Sequence, residues 1–146
     1  MLIGLDGRLT PELLYALASM GHGDCLTIVD ANYPAVTAAK HTVWGQVVDF
    51  GGDSTQALQA ILGVLPLDNF DPQTPPARAM QMVDTPETLA EAVRDAVPLI
   101  RAAGQDIAMV ERFAFYAAAQ TSFVIIRTTE RRFYGNFILR KGVVSS

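Results

Sequence analysis

Apolar positions along the 146-residue chain switch repeatedly between helical and strand-like spacing. In TPELLYALASMG, residues Leu13, Leu14, Leu17 and Met20 form a stripe at helical spacing. Thr10 is the expected N-cap, Pro11 suits the first helical position, and Gly21 is placed to end the helix. Cys25 to Val29 is a largely apolar run of strand length, preceded by the polar turn His22-Gly23-Asp24 and followed by Asp30. Asn32-Tyr33-Pro34 reads as a turn, and Val43 to Phe50 as a second strand closed by Gly51-Gly52. Helical spacing returns in Ser54 to Leu65 and stops at Pro66. Residues 66–77 carry four prolines and read as loop. A strand over Ala79 to Val83 should lead into a helix capped by Thr85, with Pro86 at its first position and Pro98 kinking or ending it. Ile107 to Val110, Phe123 to Ile126 and Phe137 to Leu139 read as short strands, and Phe113 to Gln120 as a helical turn or two. This alternation, with no linker or repeat, predicts one α/β domain over residues 1–146, a central β-sheet with flanking helices.

Composition narrows the class further. Half the residues are hydrophobic, enough for a real core, yet no run approaches the ~18 apolar residues of a membrane span. The opening residues, MLIGLDGRLTPE, lack the layout of a signal peptide, so a cytoplasmic protein is the default expectation. A single cysteine, Cys25, excludes an internal disulfide and a multi-thiolate zinc site. The net charge of −4 conceals an asymmetry: residues 1–111 hold five Lys/Arg against fourteen Asp/Glu, and residues 112–146 hold six against one. A basic block of this kind suits nucleic acid, a subunit interface or a hydroxyl-rich ligand. The acidic whole weighs against nucleic acid.

Few residues offer chemistry. Gly21-His22-Gly23 lacks the third glycine of a dinucleotide fingerprint and precedes a strand instead of following one. The only histidines, His22 and His41, lie apart with Cys25 as a lone companion, so no metal is expected. His22 sits between glycines that leave its ring free, and imidazole titrates near ~6.5, in the range useful for proton transfer at neutral pH. An exposed turn histidine without chemistry fits the same residues. Asp30 stands at the carboxyl end of a strand, where ligands of open α/β sheets collect, though a turn cap accounts for it too. Arg112, Tyr116, Glu130, Tyr134 and Asn136 add donors and acceptors suited to a polyol, or else a scatter of surface polarity. Seven of the twelve aromatics fall between Phe113 and Phe137, and Phe113, Phe115, Phe123 and Phe137 are expected in the core.

Taken together, TPELL, MGHGD (Met20 to Asp24), DANYPA (Asp30 to Ala35), LQAILGVLPLD (Leu58 to Asp68), RFAFY (Arg112 to Tyr116) and TERRFYGNFILRKG (Thr129 to Gly142) resemble the L-fucose mutarotase and D-ribose pyranase family. The resemblance implies an enzyme that interconverts cyclic forms of a free monosaccharide, without cofactor or metal. It also implies a homo-oligomeric ring, commonly a decamer, with sites where neighbours meet. Carried over by motif, His22 is the catalytic acid/base, and Asp30, Arg112, Tyr134 and Asn136 bind sugar, with Tyr116 a further pocket residue. The ribose-directed branch tends to place a histidine about where Tyr116 stands, which favours L-fucose as substrate. The sequence departs from the family at Thr129, where Gly is usual, and at Cys25, where an acidic residue is common. Neither is a residue assigned to chemistry. On this reading the basic block completes a sugar pocket, with His22 and Asp30 on one side and Arg112 and Asn136 on the other, while Arg131, Arg132, Arg140 and Lys141 carry no assigned chemistry.

Overall fold

Local sequence signals account for most of the element boundaries. The computed structural model describes residues Met1–Ser146. Helix α1 (Pro11–Ser19) starts where Thr10 accepts a hydrogen bond from the Leu13 amide, and Met20 turns extended to end it. Strand β1 (Cys25–Val29) follows. A short helix not foreseen from the sequence, α2 (Ala35–Ala39), comes directly after the Asn32-Tyr33-Pro34 turn; five residues are too few to display a helical period. Strand β2 covers only Val47–Asp49. The expected strand from Val43 is cut short because Gly45 takes a φ of 80° and the Trp44 amide bonds to the Phe123 carbonyl outside the ladder. Helix α3 (Ser54–Leu62) opens on a reciprocal capping box between Asp53 and Gln56.

Strand β3 spans Ala77–Met80, a little earlier than Ala79 to Val83. The helix expected from Thr85 begins instead at α4 (Glu91–Ala102), and Thr85-Pro86 forms a turn closed by the Thr88 amide on the Thr85 carbonyl. Pro98 neither ends nor stops α4. Pro98 and Arg94, whose carbonyl loses its partner, both face solvent, where water replaces the missing bond. Strand β4 (Ile107–Val110), helix α5 (Arg112–Gln120), β5 (Val124–Arg127) and β6 (Phe137–Arg140) complete the chain.

The six strands form one mixed sheet in the order β2-β5-β1-β6-β3-β4. β2, β5 and β1 are mutually parallel, as are β3 and β4, and β6 runs antiparallel between the two groups. Alternate residues face opposite sides. Leu26, Ile28, Val124, Ile126, Phe137 and Leu139 pack with α1, α3 and α4, while Ile125, Ile138 and Met80 pack with α2 and α5. Of the four phenylalanines expected in the core, Phe115 and Phe137 are fully buried and Phe123 is partly so; Phe113 is 72% exposed, on the outer side of the first turn of α5. All five parallel-running strands end on one edge of the sheet, where β6 begins. The gap between the strand groups on either side of β6 is therefore a switch in strand order, the usual place for a ligand crevice. No helix is long and apolar enough to cross a membrane.

Candidate active site

That edge carries a cavity of ≈ 500 Å³ lined by Asp30, Asn32, Tyr33, Met80, Asp84, Arg112, Tyr116, Phe133, Tyr134 and Asn136. Asp30 leaves the end of β1, Met80 the end of β3, and Asn136 precedes β6. Arg112 is the first residue of α5, whose N-cap Glu111 accepts bonds from the Phe113 and Ala114 amides. Five of the seven residues put forward for sugar chemistry thus meet in one place, although up to 106 positions separate them; His22 and Glu130 lie outside the lining.

Asn136 is buried and doubly engaged with Asp30: its Oδ1 accepts from the Asp30 amide at 2.8 Å and its Nδ2 donates to Asp30 Oδ2 at 3.1 Å. Asp30 Oδ1 accepts from the Asn32 amide at 3.0 Å. Burial raises the Asp30 carboxyl above its ordinary range, and the bonds from Asn32 and Asn136 oppose that rise. Arg112 donates from Nε to the Tyr116 hydroxyl at 3.2 Å and lies over the Tyr116 ring. That spacing of four on α5 puts both side chains on one helix face. The Tyr33 ring sits 5.3 Å from that of Tyr116, and burial pushes the Tyr33 phenol well above the usual tyrosine range. Tyr134 stands at φ 62°, the one non-glycine residue with positive φ, and its hydroxyl accepts from the Val83 amide at 3.4 Å.

His22 lies elsewhere. β1 separates it from Asp30, so the two sit at opposite edges of the sheet. There His22 Nε2 is 3.3 Å from Asp68 Oδ1, and its ring centroid is 5.2 Å from that of Phe70. Asp68 also accepts from the Phe70 amide and from Arg140 Nε, which together hold its carboxyl down to about 2. Lys141 donates to the Leu17 and Met20 carbonyls at the end of α1, tying down the start of the His22 turn. Within one chain, then, the sugar pocket expected to have His22 and Asp30 on the same side does not form, because a strand runs through the core between them.

The basic block is largely accounted for. Arg127 pairs with Asp49, Arg132 with Glu130 and Asp95, and Arg140 with Asp68, so Arg132, Arg140 and Lys141 have structural partners that sequence did not reveal. Asp84, Met80 and Phe133 join the cavity with no sequence signal beyond their position after strands or in loops. Asn32 and Tyr33 were legible in principle, since they belong to the DANYPA segment. No three His, Cys, Asp or Glu side chains converge in a metal-binding group.

Residues 3–144 match the model of the RbsD / FucU transport protein family. The chain belongs to this family. Fucose mutarotase of Danio rerio is 39% identical over 154 residues, covering 99% of this chain and 95% of that protein. Fucose mutarotase of Homo sapiens is 40% identical over 147 residues, covering 97% and 94%. The crystal structure of the fucose mutarotase from Streptococcus pneumoniae in complex with L-fucose superposes with a TM-score of 0.86 at 29% identity, covering 99% of this chain and 100% of that one. The family's fold is the mixed sheet with flanking helices described above.

Proposed function

We propose that this protein is a sugar mutarotase that interconverts the α and β anomers of a free monosaccharide, with L-fucose as its substrate. The observation that carries this reading is the polar cavity in which Asp30, Arg112, Tyr116, Tyr134 and Asn136 converge. Near-full-length relatives with that activity in their names support it. A volume of ≈ 500 Å³ suits a ligand of pyranose size with room for water. Arg112 offers a rigid fork of donors, Asn136 and Asp30 offer donor and acceptor groups, and Tyr116 and Phe133 offer apolar faces for ring C–H groups.

Anomer exchange needs the anomeric hydroxyl to lose a proton and the ring oxygen to gain one. The C1–O5 bond then breaks to an open-chain aldehyde, C1 rotates, and the reverse transfers close the ring on its other face. Protons and electrons balance without a further reactant. His22 of a neighbouring copy, placed over the cavity, supplies the acid/base group, and Tyr134 or Tyr116 relays the second proton. The separation of His22 from the cavity within one chain supports a site completed between subunits, in keeping with the ring assembly that the family resemblance implies. Asp68 is set to orient the imidazole through Nε2, leaving Nδ1 for the sugar.

Saturation-transfer NMR of α/β exchange in L-fucose, with wild type and His22→Ala, tests the reading. Enhanced exchange by wild type that is lost in the variant is expected; no enhancement for L-fucose, D-ribose or other aldoses overturns it. The family's description as a transport family favours one alternative, a sugar-binding protein without turnover. That alternative predicts equal sugar binding by both proteins and exchange by neither.

A further inference from the structure

Beneath the cavity, and outside its lining, lies a buried charged group that the mechanism does not use. The Glu130 side chain is only 3% exposed. It accepts from the amide, Nε and Nη2 of Arg132 at 2.9, 3.0 and 2.8 Å, and lies 3.1 Å from Ser54 Oγ at the start of α3. Ser54 Oγ in turn is 3.0 Å from the Gly135 carbonyl. Arg132 extends the chain of contacts to Asp95 on α4 at 2.6 Å. The backbone of Glu130 also holds the other wall of the cavity, since its carbonyl accepts from the Ala31 amide, next to Asp30, at 2.9 Å.

Gly135, between Tyr134 and Asn136, meets a demand set by this group. A Cβ at Gly135 would fall 2.6 Å from Glu130 Cγ and 2.7 Å from Ser54 Oγ, so only glycine lets the strand start rest on the carboxylate. Tyr134 is held at φ 62°, a left-handed conformation that persists in a non-glycine residue only where the surroundings enforce it. Asn136 is thereby delivered to Asp30. A buried ion pair replaceable in principle by apolar packing is a weak source of stability, which points to geometry as the reason for it here.

We propose that Glu130, with Ser54 and Arg132, is the positioning group of the sugar pocket: it sets Tyr134 and Asn136 against Asp30, and its loss weakens sugar binding without slowing turnover of bound sugar. This rests on the mutarotase reading above with Tyr116 as the proton relay, which leaves Tyr134 a binding role. The test compares wild type, Glu130→Gln and Ser54→Ala, measuring kcat and KM for L-fucose by saturation-transfer NMR and the affinity for the non-reacting analogue 1-deoxy-L-fucose by calorimetry. Glu130→Gln should raise KM and the analogue's Kd together by about tenfold, with kcat within about threefold of wild type. Loss of folded protein alone would instead lower apparent kcat at unchanged KM. On a Tyr134→Ala background, Glu130→Gln should raise KM by clearly less than about tenfold, because one of the two groups it positions is gone. Ser54→Ala keeps the Glu130–Arg132 pair and should raise KM by about threefold; it decides the matter where Glu130→Gln does not fold. Unchanged KM and Kd in a folded variant, or a fall in kcat alone, overturns the proposal while leaving the mutarotase reading standing. Wild type that neither binds nor exchanges L-fucose overturns both.

Discussion

The distance between His22 and the cavity gives the assembly reading its sharpest test. The stretch from Asp24 to Asp30 is mostly extended strand, so at about 3.3 Å per residue these two residues lie roughly 20 Å apart. An imidazole reaches only about a third of that span from its Cα, so one copy cannot supply both His22 and the cavity to the same sugar. Two crippled variants should therefore rescue each other. His22→Ala keeps the cavity and Arg112→Ala keeps the histidine, and each alone should lose roughly 100-fold or more in exchange rate. When the two are unfolded together in equal amounts and refolded, a subunit with an intact cavity neighbours one with an intact His22 at about one site in four, so activity should return to about a quarter of wild type. Saturation-transfer NMR of L-fucose measures the rate, and light scattering confirms that mixed assemblies form. Activity that stays at the sum of the two separate variants, in a sample shown to be mixed, would refute a site shared between copies. So would a wild-type protein fully active as a 15.8 kDa monomer.

Three further outcomes follow from the geometry. Although burial raises the Glu130 carboxyl, the stronger pull of Arg132 and Ser54 brings it from 4.5 down to about 2. Its stabilisation is thus complete above about 4.5 and lost as pH falls toward 2, so the stability gap between wild type and Glu130→Gln should close by up to about 3 kcal/mol over that window in denaturant titrations; a gap independent of pH would contradict the assignment. Gly135→Ala should cost about 2 kcal/mol or more in thermal unfolding, because Glu130 and Ser54 fill the space of the added methyl; a neutral substitution would show that the loop has room to shift. Lys141→Met removes the ammonium from the Leu17 and Met20 carbonyls and should cost about 1–2 kcal/mol, with faster amide exchange at Gly21 and Gly23; unchanged exchange there would separate Lys141 from the His22 turn.

Local sequence determined the elements wherever one signal acted alone. Thr10 and Pro11 start α1, and apolar runs bounded by polar turns mark β1 and β4 to the residue. It determined less where competing local geometries were close in energy. Thr85-Pro86 has every mark of a helix start yet forms a turn, since the apolar face that can bury against the sheet, Ala92, Val93, Ala96 and Ile100, begins only after Glu91. Phe113 carries no local mark of exposure; only the docking of α5 through Phe115 and Ala119 turns it outward.

For the site, residue types alone offered Arg112, Tyr116, Glu130, Tyr134 and Asn136 as polyol ligands or surface polarity and Asp30 as ligand or turn cap, because hydrogen-bonding chemistry is a property of the side chains themselves; the family resemblance narrowed these to Asp30, Arg112, Tyr116, Tyr134 and Asn136. Tertiary structure alone decided which of them share a cavity, since that depends on strand order, and the order places β6 between β1 and β3. It separated His22 from Asp30, which lie eight positions apart, and joined Asn136 to Asp30, which lie 106 apart. It also consumed most of the basic C-terminal block: charge is countable in a sequence, but whether Arg132 faces solvent or a buried Glu130 depends on how α3, α4 and the last loop pack.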